Sequence, residues 1–178
     1  MISSITGLTR GRGTRAILPL VLGSAILILA AVGCATAPQN ANIPRLCQVA
    51  EGIWCGGQPR DAAAWRYLHD TLGLTNSIKL DCDWEGSDEL SEMTVRHFRI
   101  TPWQEIFGPV GPQVEAAAFH LRPGTFVHCR DGANRVRTVI IVYRVRRCGW
   151  DLDKAVDEAR YYGWGSSLPA LKRFVKTL

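Results

Sequence analysis

The chain's 178 residues, 47% of them apolar, are enough for one domain with a buried core and too few for two. The formal charge of +5 is unevenly spread: residues 1 to 33 hold Arg10, Arg12 and Arg15 and no acid, so without them +5 falls to +2. There is no basic run interleaved with aromatics and no nucleic-acid module, which sets nucleic acid aside as a partner.

The three arginines precede an apolar run over residues 16 to 32, and Gly33-Cys34 follows. A charged lead, an apolar stretch and a small-residue cleavage site make residues 1 to 33 a signal peptide, so the domain is expected to be exported. Ala31-Val32-Gly33-Cys34 resembles a lipobox, in which a bacterial lipoprotein is cut before the cysteine that then carries the lipid; Ala31 stands where leucine is usual. The resemblance implies lipidation at Cys34 and a lipid anchor in the bacterial cell envelope, on its periplasmic or extracytoplasmic face. An uncleaved membrane anchor and an ordinary secretory signal are the alternatives. Residues 34 to 46, with Pro38, Asn40, Asn42 and Pro44, read as the lipidated cysteine and a tether, and residues 47 to 178 as the domain.

Ile53 and Trp54 begin a short strand that turns at Gly56-Gly57. Asp61 is the expected N-cap of a helix over residues 62 to 72, which Gly73 closes. Ala64, Tyr67, Leu68 and Leu72 form its apolar stripe, leaving Trp65 and His69 at the surface or edge. A strand over residues 74 to 80 leads into an acidic group, Asp81, Asp83, Glu85, Asp88, Glu89 and Glu92, expected to be a solvated loop. Residues 95 to 100 alternate as a strand, and residues 101 to 105 are expected to be a loop because Pro102 breaks the ladder. A helix with Pro112 in its first turn covers residues 112 to 121, and a strand follows over 125 to 128. The apolar segment from Val136 to the Arg146-Arg147 pair reads as a buried central helix ending at Cys148-Gly149. Asp151 or Asp153 starts another helix, and Ser167-Leu168-Pro169 a last one. Strands alternating with helices indicate an α/β layer fold: a single domain with a central, mostly parallel sheet flanked by helices.

The chemistry gathers in Phe126-Val127-His128-Cys129-Arg130-Asp131-Gly132-Ala133-Asn134-Arg135. Read as strand, tight loop and helix, it brings unpaired backbone N–H groups together at a helix start, and their partial positive charge favours the thiolate of Cys129. Arg135, six residues on, has a planar fork of donors that matches two oxygens of a phosphate. Gly132 lets the backbone approach an anion closely. Nucleophile, amide cradle and charge clamp thus come from one segment, with residues 130 to 135 (Arg130, Asp131, Gly132, Ala133, Asn134, Arg135) around the phosphate.

His128-Cys129-x5-Arg135 resembles the signature loop of the cysteine-dependent protein tyrosine and dual-specificity phosphatases. Gly52-Ile53-Trp54-Cys55-Gly56-Gly57-Gln58-Pro59 resembles the opening of a bacterial branch of that superfamily, Asn76-Ser77-Ile78-Lys79-Leu80 its next strand, and Gly149-Trp150 through Tyr161-Tyr162-Gly163 its later helices. Roughly residues 48 to 165 follow the family order. The resemblance implies a phosphomonoester hydrolase that passes through a phosphocysteine on Cys129, with Arg135 as clamp and a phosphorylated protein or small phosphomonoester as substrate. No cofactor is implied, and no metal, since no C-x2-C pair and no histidine stands at ligand spacing.

Two departures stand out. The branch usually places its acid, an Asp, directly after a Trp about two dozen residues before the nucleophile; here Trp103 is followed by Gln104, which cannot give up a proton. Glu105 and Asp131 are the candidate replacements, and an acid carries about 10² to 10⁴ in rate. Asp131 resembles the aspartate in the Cys-x-Asp-Gly loop of myotubularin-like phosphoinositide phosphatases. Val136-Arg137 replaces the family's hydroxyl and glycine, which implies slow breakdown of the phosphocysteine. A pseudophosphatase, which binds phosphorylated ligands with little turnover, is therefore the alternative function. With Cys34 and Cys129 assigned, Cys47, Cys55, Cys82 and Cys148 remain, either as disulfides in one of three pairings or as free buried thiols. The arginines after the thiol, Arg130, Arg135, Arg137, Arg144, Arg146 and Arg147, slightly favour polyanionic ligands.

Overall fold

A computed structural model describes residues 35–36, 42–81, 92–165 and 168–178. The signal peptide, the lipidated Cys34, Cys82 and most of the acidic group fall outside the described residues. Six strands, β1 (Ala35–Thr36), β2 (Cys47–Ala50), β3 (Ile53–Gly57), β4 (Asn76–Lys79), β5 (Thr94–His97) and β6 (Thr125–Cys129), form one sheet in the order β1-β2-β3-β6-β4-β5. β3, β6, β4 and β5 run parallel, while β1 and β2 pair antiparallel at one edge. The expected α/β domain with a mostly parallel central sheet is what forms.

β6 is central and buried at all five positions, as a parallel strand covered on both faces must be. Its period of two sorts the chemistry. Phe126 and His128 meet Trp65 on one side, while Val127 and Cys129 join the main core on the other. That main core is built from α3 (Gly111–Phe119), α4 (Asn134–Cys148) and α6 (Pro169–Val175); α5 (Leu152–Tyr161) packs on α4. The Phe126 face is covered by α1 (Ala62–Arg66), which widens into a π-helical turn at Tyr67–Thr71.

Asp61 caps α1 as expected, its side chain accepting from Ala64 N at 2.7 Å. Trp65, however, is not at the surface but fully buried, edge-on to Phe126 and His128. The α-helix ends after five residues, and the wider turn that follows re-aims the stripe so that the largest ring fills the space over β6. α4 contains the β-branched run Val136, Thr138, Val139, Ile140, Ile141 and Val142, which propensity alone would favour as strand. Burial against the sheet overrides this, and left-handed Gly149 (φ 66°) ends the helix.

Three other expectations need correction. Asn42, Ile43, Pro44, Arg45 and Leu46 are not tether: Ile43 and Leu46 are buried, and Gly57 N donates to Pro44 O at 2.6 Å. Asp81 is buried rather than solvated, 3.8 Å from Lys79 Nζ. Residues 101 to 105 are not a loop, for Pro102–Phe107 forms the helix α2. Pro102 starts it instead of breaking it, because a proline at the first helical position gives up no needed N–H.

Candidate active site

The parallel strands all end at one edge, and there β6 delivers Cys129 into the turn that starts α4. Residues 130 to 133 close down on the end of β3. Gln58 N donates to Arg130 O at 3.1 Å, and Gly132 (φ 67°) lies so close that a Cβ would come within 2.4 Å of Gly57 N. A Cβ on Gly57 would in turn meet Arg130 O at 3.0 Å. The Gly-Gly-Gln-Pro opening and the glycine of the signature loop are thus two sides of one close approach, which side chains would prevent.

The loop is held from behind by two arginines. Arg45, in the left-handed region at φ 52°, donates from Nη1 to Asp131 O at 2.7 Å. Arg137 is 1% exposed; its Nε donates to Gly132 O and its Nη2 to Arg45 O, both at 3.2 Å. Its Nη1 lies 3.2 Å from Cys47 Sγ and 3.3 Å from Cys55 Sγ, and the guanidinium rests 4.7 Å over the Tyr162 ring. A residue that reads as a departure from the family pattern is therefore the buried brace of the loop. Arg45 and the brace role of Arg137 were not foreseen. The signal for the second was available: Arg137 and Arg144 stand seven apart, on one face of a helix, with apolar residues filling most of the positions between them.

Arg135, in the first turn of α4, meets Glu105 of α2. Nε donates to Oε1 at 2.7 Å and Nη2 to Oε2 at 3.0 Å, with the two side chains 12% and 10% exposed. A two-bond, largely buried pair of this kind fixes both side chains. α2 supplies Glu105 because Thr101 and Gln104 form a capping box: Gln104 N donates to Thr101 Oγ1 at 3.2 Å, and Thr101 N to Gln104 Oε1 at 2.9 Å. Gln104 is turned back on the helix start. The residue standing where the family has its acid caps the helix that carries a carboxylate one position later.

Asp131 is exposed and is held through its backbone, by Arg45 and by a bridge to Gly57. Asn134 fastens the far side, its Oδ1 accepting from Gly165 N at 3.0 Å and its carbonyl from Thr138 Oγ1 at 2.9 Å. His128 is buried behind the loop, stacked on Phe126 at 5.3 Å and 3.2 Å from Ser77 Oγ, which suits a supporting role. Val136 is fully buried next to the clamp arginine. Cys55 and Cys148 are free thiols and Cys47 is disulfide-bonded. Burial pushes the Cys55 thiol up, against the opposing pull of Arg137.

The arginines after Cys129 do not form one polyanion-binding face. Arg144 is buried on Glu158 at 2.8 and 2.7 Å and on Val49 O, and Arg147 donates to Phe119 O and Leu121 O. With Arg137 also internal, Arg130 is exposed and Arg135 is half-buried on Glu105. Among the described residues no cluster of His, Cys, Asp or Glu is arranged to hold a metal ion.

A scan against protein-family models gives no match, and neither does a search of curated proteins. Solved structures do match. P. aeruginosa TpbA superposes with a TM-score of 0.68 at 15% identity, over 84% of this chain and 92% of its own. The core catalytic domain of the PP-IP phosphatase SIW14 from S. cerevisiae, in complex with citrate, gives 0.62 at 16%, over 80% and 86%. Human DUSP28 gives 0.60 at 15%, over 80% and 95%. The fold is that of the cysteine-dependent tyrosine and dual-specificity phosphatases. At these identities the likeness extends to the fold, and the chemistry of this phosphatase-like domain rests on its own residues.

Proposed function

We propose that the chain is a phosphomonoester hydrolase of the tyrosine and dual-specificity type. The observation that carries this reading is Cys129 at the end of the central strand, followed by the braced loop and by Arg135 in the first turn of α4, its guanidinium held on Glu105. TpbA has been solved in complex with pTyr and PTPMT1 with PI(5)P, so this architecture accepts phosphomonoesters on differing groups. In the reading offered here, the Cys129 sulfur attacks phosphorus and the bond to the leaving oxygen breaks. Loop amides and Arg135 hold the remaining oxygens. Water then cleaves the phosphorus–sulfur bond and frees Cys129.

The proton for the leaving oxygen is assigned to Glu105, whose carboxylate, once released from Arg135, takes up a proton from water and passes it to that oxygen. A phosphate dianion entering the pocket competes for the fork that Glu105 occupies, and the displaced carboxyl stays beside the reacting group on a short, capped helix. Asp131, exposed and tied by its backbone, is the weaker candidate. The test compares the full chain with Cys129→Ser and Glu105→Gln on an aryl phosphate. Loss of turnover in the first and a flattened pH profile in the second are expected, at a cost on the order of 10²-fold for the acid. Equal turnover in wild type and Cys129→Ser would remove the enzyme reading.

The pseudophosphatase reading has a specific observation in its favour: the Arg135 fork is already filled by a carboxylate, and Val136 offers no hydroxyl to the sulfur. Vanadate binding without turnover would decide for it. We also propose export through removal of residues 1 to 33 with lipid on Cys34, which intact mass of the protein from membranes tests; an unmodified cysteine there would reject the anchor.

A further inference from the structure

We propose that the outer face of α2, together with α6, docks on an anionic lipid bilayer. Five large apolar side chains stand exposed among the described residues, and three of them, Trp103, Ile106 and Phe107, belong to the single six-residue helix α2. Trp103 and Phe107 are one turn apart and stack at 5.0 Å. Each is two positions from Glu105, roughly 200° around the helix, so they point away from the Arg135 pair. The aromatic face is therefore not the wall of the active-site pocket. Beside it lies a groove of about 440 Å³, lined by Phe107, Pro109, Val110, Pro112, Ala170 and Phe174.

Charge selects the occupant. Arg173 borders the groove and fastens α2 to α6, its Nη2 donating to Ile106 O at 3.2 Å and Phe107 O at 3.3 Å. Lys172 lies on the same short helix and Lys176 just after it, residues 168 to 178 contain no Asp or Glu, and the one acid of α2 is buried on Arg135. Aromatic and branched apolar side chains next to a basic, acid-free segment complement an interface of acyl chains under anionic headgroups. A second copy meeting this face across a two-fold axis would set cations against cations.

The test uses the full chain with vesicles of brominated phosphatidylcholine, with and without phosphatidylserine, and reads tryptophan quenching. Residues 1 to 34 contain no tryptophan, so insertion of the N-terminal apolar run leaves this signal alone. Wild type should lose part of its emission on phosphatidylserine vesicles. Trp103→Phe should lack that quenched component, and Lys172→Gln with Lys176→Gln, or high salt, should diminish it. Equal quenching in wild type and Trp103→Phe overturns the proposal. So does a lipid-free dimer that Phe107→Glu converts to monomer while bilayer quenching persists, since the face then belongs to a second copy.

Discussion

Replacing Arg137 by methionine removes the brace behind the loop while leaving a side chain of similar length to fill the space. The guanidinium donates to the buried Gly132 O and the partly buried Arg45 O, besides its approach to two sulfurs. Bonds from a charged donor contribute about 1.5–3 kcal/mol each, so the two carbonyls alone set a range of about 3–6 kcal/mol. Breaking a buried charged cluster typically costs about 3–5 kcal/mol, which narrows the expectation to that range. At about 2–4 °C per kcal/mol for a chain of this size, the midpoint of thermal unfolding should fall by about 6–20 °C. Urea unfolding of the full chain, followed by tryptophan emission, measures the free-energy change directly, and calorimetry checks the midpoint. Arg137→Lys keeps the charge but not the planar fork and should recover only part of the loss. A stability within about 1 kcal/mol of wild type, or above it, would mean that desolvation of the guanidinium cancels its bonds, and the brace argument would fail.

Gln104→Asp restores the residue type that the family resemblance puts at this position, yet turnover should not gain the 10² to 10⁴ of a new acid, because the side chain is turned onto the Thr101 amide; a gain of that size in an aryl phosphate assay would show that the capping geometry is not the one used. Val136→Thr puts a hydroxyl beside the loop with little change of volume and should speed the second step, seen as loss of any burst in pre-steady-state product release. Burial raises the folded-state values of Cys55, Tyr143 and Tyr162. The folded chain therefore holds these protons more tightly than the unfolded chain. Their contribution to stability is complete below the ordinary thiol and phenol values and is lost as pH rises through the folded ones. Denaturation midpoints should begin to fall as pH rises past the ordinary thiol value, about 8.5, and go on falling past the ordinary phenol value, about 10, and a flat response there would contradict the burial described.

The strand, loop and helix around Cys129 could be read from the chain because the chemistry compresses them into ten consecutive residues. The parallel sheet followed from strands alternating with helices. α2 was hidden by the proline: Thr101-Pro102-Trp103-Gln104 carries a complete capping box, but a ladder-breaking Pro102 suggested a loop. Glu105 was named as a candidate from its place in the sequence, though its two-bond contact with Arg135 joins residues thirty apart and has no local signature. β2 escaped because four residues offer only two alternations. Trp65 was misplaced because a π-helical turn breaks the 3.6-residue period on which the stripe was drawn.

The strap formed by Pro44 and Arg45 bears on how the domain can be produced. Cys47 opens the first four-residue strand and looks like a natural starting point for a recombinant fragment, but a polypeptide cut there would lack the carbonyl that accepts from Gly57 N and the guanidinium that donates to Asp131 O. Such a fragment would keep every residue of the signature motif and still hold it loosely. Activity lost in a truncated preparation would then report a missing support some eighty-five residues upstream of the nucleophile, not a defect in the nucleophile itself.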